Sequence, residues 1–200
     1  MIALVHLPSR WYTVVMAEIV LLHSAQGLRP GVGVAAEVLR SGGHVVRTPD
    51  YYDGEVFADI EPGLRKRDAL GSDELDRRFR RIGAEVTGPT VFAGFSLGAY
   101  GAQLLAATHP MARGALLFHG GVAPEGEWPD GVPVQVHYAE HDPWVDKEEI
   151  ARLATVVGAG IECFVYPGDR HLFADPGLPG YSEESAALMW KRSLAFLSRT

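Results

Sequence analysis

Thr90-Val91-Phe92-Ala93-Gly94-Phe95-Ser96-Leu97-Gly98-Ala99-Tyr100-Gly101 is an apolar run that closes on Gly-x-Ser-x-Gly and leads into an alanine-rich stretch. The order is strand, sharp turn, helix. Such a turn holds its serine in a strained conformation, and glycines flank it because a Cβ at either place would collide with the neighbouring strand and helix. The hydroxyl of Ser96 is then presented at the carboxyl end of a sheet. There it can act as a nucleophile, while the positive end of the following helix and the backbone N–H of Leu97 face an oxygen that becomes negative. The plainer alternative is a glycine-rich turn carrying an idle serine.

The surrounding chain narrows the choice. Two hundred residues, 47% hydrophobic and 22% charged, suffice for the full core of one α/β domain. A net charge of -7 offers no basic face for phosphate backbones, so nucleic acid and anionic membranes are not expected partners. The one cysteine, Cys163, rules out an internal disulfide and a cysteine-based metal cluster, in keeping with a cytoplasmic setting. Its place in Ile161-Glu162-Cys163-Phe164-Val165-Tyr166 reads as a strand and predicts a buried, inert thiol. Residues 1–15 carry Arg10 as their one formal charge and show neither a signal peptide nor a membrane span. They read as an N-terminal extension of a single domain formed by residues 16–200.

Taken in order, Glu18-Ile19-Val20-Leu21-Leu22-His23 is a short apolar strand ending at the loop Ser24-Ala25-Gln26-Gly27. Residues 30–39 have helical spacing and stop at Gly42-Gly43; His44-Val45-Val46-Arg47 is the next strand. Residues 51–71 form a long polar connection with one short helix, and Ser72 is the expected cap of a helix through Phe79 and Ile82. In that helix Arg77, Arg78, Arg80 and Arg81 read as a solvated face. Strands at 114–119, 132–139 and 161–166 alternate with helices at 97–108, 147–157 and 182–197. Alternation of this kind implies crossovers, hence a mostly parallel sheet with helices on both faces, and chemistry gathers at the carboxyl ends of such strands.

A serine hydroxyl is a weak nucleophile at neutral pH and needs a histidine to take its proton and a carboxylate to orient that histidine. Two later strand ends supply them: Ala139-Glu140-His141-Asp142-Pro143-Trp144-Val145 and Pro167-Gly168-Asp169-Arg170-His171-Leu172-Phe173. The order Ser96, Asp142, His171 is the nucleophile, acid, base order of α/β-hydrolases. Glu140 and Asp146 compete for the acid, but Asp146 is placed to cap the helix at Lys147, and Pro143 pins the loop behind Asp142. His141 competes for the base, one strand too early. His137 lies inside a strand and reads as a hydrogen-bonded interior residue, whereas His23 and His119 end strands on the catalytic edge. No spacing of His, Cys, Asp or Glu suggests a metal site, and no cofactor is expected.

Together these residues resemble the dienelactone hydrolase family of α/β-hydrolases. The likeness runs from about Met16 onward and rests on several segments: Gly42-Gly43 with Thr48-Pro49-Asp50-Tyr51, Gly94-Phe95-Ser96-Leu97-Gly98, Gly120, Glu140-His141-Asp142-Pro143-Trp144-Val145, and His171-Leu172-Phe173 with Gly180-Tyr181. It implies Ser96 as nucleophile, Asp142 as orienting acid, His171 as base, and an oxyanion hole from the N–H groups of Leu97 and Ala25. Family members typically carry cysteine at the position of Ser96 and a restraining glutamate at that of Ser24. The two changes agree, since without a thiol there is no thiolate to restrain. An arginine that holds the dienelactone carboxylate falls near Asp175 here, and an acidic group there would repel that carboxylate.

The expected function is therefore a cofactor-free serine hydrolase acting on a small-molecule ester or lactone through an acyl-enzyme, as a monomer. Substrate contacts are expected from Ser24, Gln26, Tyr51, His119 and Phe173, with the 51–71 connection and the 121–131 loop as pocket walls. A thioesterase or perhydrolase with the same triad, or a catalytically silent ligand-binding member of the fold, are the competing expectations.

Overall fold

A computed structural model describes residues 16–200; the expected extension at 1–15 lies outside the described residues. Six strands form one sheet: β1 (Glu18–Leu22), β2 (Val45–Arg47), β3 (Thr90–Phe95), β4 (Ala112–Phe118), β5 (Val134–Ala139) and β6 (Ile161–Tyr166). Their order is β2-β1-β3-β4-β5-β6, and every pairing is parallel. All six carboxyl ends consequently open on one edge.

Alternation along each strand divides the interior into two cores, because successive side chains point to opposite faces. Ile19, Leu21, Val91, Ala93 and Leu116 face α1 (Pro30–Ser41) and α6 (Glu183–Leu197), meeting Leu39, Met189 and Phe196. Val20, Leu22, Phe92, Ala115 and Leu117 face the other way. There they meet α3 (Ser72–Ala84), α4 (Leu97–Thr108) and α5 (Lys147–Val157) through Leu75, Phe79, Leu105, Ile150 and Leu153. Helices thus cover both faces, and the central strands β1, β3 and β4 read as unbroken apolar runs for that reason.

Three local expectations need correction. Ser72 is the first residue of α3 rather than its cap; Gly71, at φ 75°, makes the turn from α2 (Ile60–Leu70). Arg78 is not simply solvated: its side chain donates to Glu74 and Asp53 and to the Tyr51 carbonyl, tying α3 to the loop after β2. Cys163 is exposed, not buried. It lies on β6, an edge strand among the described residues, on the same face as the exposed Val165. Asp146, by contrast, caps α5 as its position suggests, accepting from the N–H groups of Glu148 and Glu149.

Candidate active site

The turn between β3 and α4 places Ser96 at φ 51°, ψ -111°, a backbone region that costs a non-glycine residue about 1–3 kcal/mol and persists only when its surroundings enforce it. Two close approaches do so here. A Cβ on Gly94 would lie 2.0 Å from the Gly98 carbonyl oxygen, and one on Gly98 would lie 2.3 Å from that of His23. The elbow is held further by the Ser96 N–H, which donates to the Phe118 carbonyl on β4 (2.8 Å).

The loops after β5 and β6 bring the other two groups to this point. His171 Nε2 lies 2.9 Å from Ser96 Oγ, and His171 Nδ1 lies 2.7 Å from Asp142 Oδ2. Asp142 is fully buried at its side chain, and its second oxygen accepts the Trp144 N–H (3.0 Å), so both oxygens are directed. The two loops are also stitched to each other, since the His141 N–H donates to the Gly168 carbonyl (2.9 Å) and that of Glu140 to Tyr166 (2.8 Å). The rival residues stand apart. Glu140 and His141 lie on the surface, 3.8 Å from each other, and Asp146 is occupied as the cap of α5.

Beside Ser96 lie the first N–H groups of α4, which have no intrahelical partner, and the loop that follows β1. In that loop Gln26 N–H donates to Ser24 Oγ (3.2 Å) and Gly27 N–H to the Ser24 carbonyl (3.1 Å). Among the described residues, neither the Ala25 nor the Leu97 N–H meets an acceptor. Ser24, at the place of the family's glutamate, accepts within its own turn.

A cleft of about 620 Å³ opens beside His171. Gln26 lines it as expected, and its side-chain amide donates to the Ala58 carbonyl (2.8 Å). Ser24 lines a smaller recess with Phe95 and Leu172. The remaining expected contacts face inward. Tyr51 is buried against His23, Phe173 belongs to the core against α1 and α6, and His119 is 1% exposed among Phe95, Phe173 and His171. All three stand on loops beyond the strand ends, and those loops fold their side chains inward under the edge of the sheet. One wall of the cleft comes from residues 58–61, within the expected 51–71 connection. The other comes from the acid and base loops and from residues 178–180, not from the 121–131 loop.

Two features were not singled out from the sequence. Trp144 lines the cleft, 48% exposed, with its ring 6.4 Å from that of His171; an aromatic residue two positions after the orienting acid is the signal that was there to read. Arg29 meets Asp175, Nε to Oδ2 3.6 Å, while its other nitrogens donate to the Phe57 (3.0 Å) and Gly177 (3.3 Å) carbonyls. The negative charge of Asp175 is therefore faced by a cation from the start of α1. Nothing in the spacing of two residues so far apart in the chain announces that pair.

His119 and His137 are kept from ionising by burial. Desolvation, with a smaller contribution from the neighbouring His171 and His137, holds His119 well below the ordinary histidine value; both its ring nitrogens lack a partner among the described residues. His137, bonded to Tyr166 Oη and Gln135 Oε1 at 2.8 Å each, is brought down to about 3 by burial and by Arg192. No group of three or more His, Cys, Asp or Glu among the described residues converges as a metal site would require, and no helix there is long and apolar enough to cross a membrane.

Comparison with known proteins extends the likeness over nearly the whole chain. The model of the dienelactone hydrolase family matches residues 3–200. No curated protein matches the chain. Among solved structures, a candidate dienelactone hydrolase from Klebsiella pneumoniae subsp. pneumoniae MGH 78578 superposes with a TM-score of 0.74 at 20% identity, covering 92% of this chain and 88% of that one. The dienelactone hydrolase-like promiscuous phosphotriesterase P91 from metagenomic libraries gives 0.76 at 22%, covering 92% and 86%. A cold-adapted esterase from an Arctic intertidal metagenomic library gives 0.63 at 18%, covering 92% and 82%. At these identities what is shared is the α/β-hydrolase fold.

Proposed function

Because the chain belongs to the dienelactone hydrolase family, we propose that it is a cofactor-free serine hydrolase cleaving small, uncharged esters or lactones through an acyl-enzyme. The observation that carries this reading is the continuous hydrogen-bonded path from Ser96 Oγ through both nitrogens of His171 to the buried Asp142.

In the reading, Asp142 Oδ2 accepts from His171 Nδ1–H, which leaves Nε2 bare and able to take the Ser96 proton as Oγ attacks the carbonyl carbon. The carbonyl oxygen turns into an oxyanion met by the N–H groups of Leu97 and Ala25, neither of which meets an acceptor among the described residues. His171 then gives its proton to the leaving alkoxide, which departs as an alcohol or, from a lactone, stays tethered to the acyl group. Water, deprotonated by the same nitrogen, attacks the acyl-serine and restores Ser96. Serine, unlike a thiolate, needs no restraint at rest, in keeping with Ser24 in place of a glutamate.

An uncharged substrate is supported by the cleft's charges. Asp59, Glu61 and Asp169 line it with Arg170, whose Nε lies 3.2 Å from Asp169 Oδ1. Three carboxylates facing one arginine disfavour a substrate carboxylate in that lining.

Ser96→Ala tests the assignment. Turnover of p-nitrophenyl acetate is expected to fall by about 10³-fold or more, and a fluorophosphonate probe to label Ser96 in the unaltered protein. Full activity in the Ser96→Ala variant would overturn the assignment of Ser96, and folded protein that the probe leaves unlabelled would favour a silent member of the fold.

A further inference from the structure

A second histidine–carboxylate pair lies behind the loop that follows β1. His23 is wholly buried at the end of β1, its ring stacked on Tyr51 with centroids 3.7 Å apart. Its Nδ1 lies 2.7 Å from the Ser24 carbonyl oxygen. A carbonyl oxygen can only accept, so at that distance Nδ1 carries the proton. Nε2 lies 3.3 Å from the Tyr51 backbone N–H, which donates to it, and 3.2 Å from Asp50 Oδ1, itself held by the Tyr52 N–H (2.8 Å).

The acceptor of that Nδ1 proton matters. The Ser24 carbonyl and the Ala25 N–H belong to one planar peptide unit and point in opposite directions across it. Whatever fixes the carbonyl aims the N–H. Two donors grip the oxygen from behind, His23 Nδ1 and the Gly27 N–H, and drawing electron density toward it also makes the Ala25 N–H a better donor. The other side of the loop is closed by α2, where a Cβ on Gly63 would lie 2.0 Å from the Ala25 carbonyl oxygen. The loop backbone is thus clamped front and back, with the Ala25 N–H meeting no acceptor among the described residues and the elbow alongside: Gly98 packs directly against the His23 carbonyl.

We propose that His23 is a positioning residue for the oxyanion hole: its Nδ1–H, bonded to the Ser24 carbonyl, holds the Ser24–Ala25 peptide so that the Ala25 N–H meets the oxyanion formed when Ser96 attacks. The inference rests on the reading of Ser96 and Ala25 given above. His23 touches neither substrate nor reacting atoms. Burial, outweighing the Ser24 carbonyl and Asp50, holds the ring below the ordinary histidine value, which favours the form with its proton on Nδ1 alone.

The experiment compares His23→Phe, which keeps a ring to stack on Tyr51 but has no donor, with His23→Asn, whose amide nitrogen falls near the place of Nδ1. Rates are expressed per Ser96 titrated with fluorophosphonate, so that misfolded protein does not count. In His23→Phe, kcat on p-nitrophenyl acetate is expected to fall about 10- to 100-fold with KM little changed, and binding of an arylboronic acid, whose tetrahedral adduct carries an oxygen in the hole, to weaken in proportion. His23→Asn recovers most of both losses. A kcat per titrated serine that is unchanged in His23→Phe overturns the inference while leaving the hydrolase reading intact. Activity surviving Ser96→Ala overturns the reading itself. Should His23→Phe not fold, the ¹⁵N spectrum of the unaltered protein decides: a proton on Nδ1 of His23 is required, and a bare Nδ1 with the proton on Nε2 refutes the proposal.

Discussion

His171–Asp142 and His23–Asp50 are two histidine–carboxylate pairs at the carboxyl edge of one sheet, alike in composition and opposite in use. In the first, Asp142 holds Nδ1, and Nε2 faces the hydroxyl of Ser96. In the second, Asp50 lies at Nε2, and Nδ1 is spent on a backbone carbonyl. The difference teaches that an imidazole's role follows from what its second nitrogen meets. A hydroxyl makes it a base, whereas a carbonyl makes it a fixed donor. Position in the sheet contributes to this. His23 ends an interior strand, roofed by Tyr51 and α2, whereas His171 sits on a loop beyond the edge strand, beside the open cleft.

The comparison breaks most visibly if the two carboxylates are exchanged for amides. Asp142→Asn removes the acceptor that sets the tautomer of His171, and kcat is expected to fall about 10³- to 10⁴-fold while the protein stays folded. Asp50→Asn leaves the bond from His23 Nδ1 to Ser24 in place, so its kcat is expected to fall by less than about tenfold, a loss of the size of one ordinary hydrogen bond. Equal losses in the two variants, measured on the same ester, would mean that the pairs are not doing different jobs.

How much of this was legible differs between the same two regions. The elbow, the sheet and the acid and base loops announce themselves, because a nucleophile turn needs glycines at fixed spacing, and buried parallel strands are uninterrupted apolar runs. Asp142 and His171 stand directly after such runs, so their meeting with Ser96 follows from topology alone. The neighbourhood of His23 is not encoded by any spacing. Whether a side chain on a loop beyond a strand turns outward or inward depends on how that loop packs and on what covers it, which is why Tyr51, His119 and Phe173 read as substrate contacts yet lie buried. Cys163 failed in the opposite sense. Its strand has the composition of an interior one, but among the described residues it ends the sheet, with a neighbour on one side only. Likewise, φ values of 59° at His119 and 56° at Leu172 arise from packing around the site, and neither residue type signals them.

A smaller effect concerns the buried histidines. His23, His119 and His137 all have their pKa lowered by burial, the last to about 3. In the unfolded chain each takes up a proton near pH 6.5, while the folded chain does not, so the unfolded state binds more protons and stability falls as pH drops below that value. Each group contributes about 1.4 kcal/mol per pH unit in the window between its unfolded and folded values. Urea unfolding at intervals from pH 7 to pH 4 should therefore show a steep loss of stability, and His137→Gln should flatten it by the share of one group. A stability flat over that window would mean that these rings ionise in place, and the neutral state assigned to His23 would fall with it.

The mildest test concerns the histidine whose nitrogens meet nothing. If an imidazole's use follows from its partners, then His119, fully buried with neither nitrogen bonded among the described residues, should have no polar role to lose. It fills space between Phe95 and Phe173, 6.0 Å from the ring of His171. Burying polar atoms without partners costs roughly 1–3 kcal/mol, which an apolar ring of similar shape avoids. His119→Phe is accordingly expected to leave kcat close to its original value and to raise the unfolding free energy by about 1 kcal/mol, with the acid dependence reduced by one group. A large drop in kcat without loss of stability would show that His119 acts on His171 or on substrate after all, and that burial behind the site does not separate a structural imidazole from a working one.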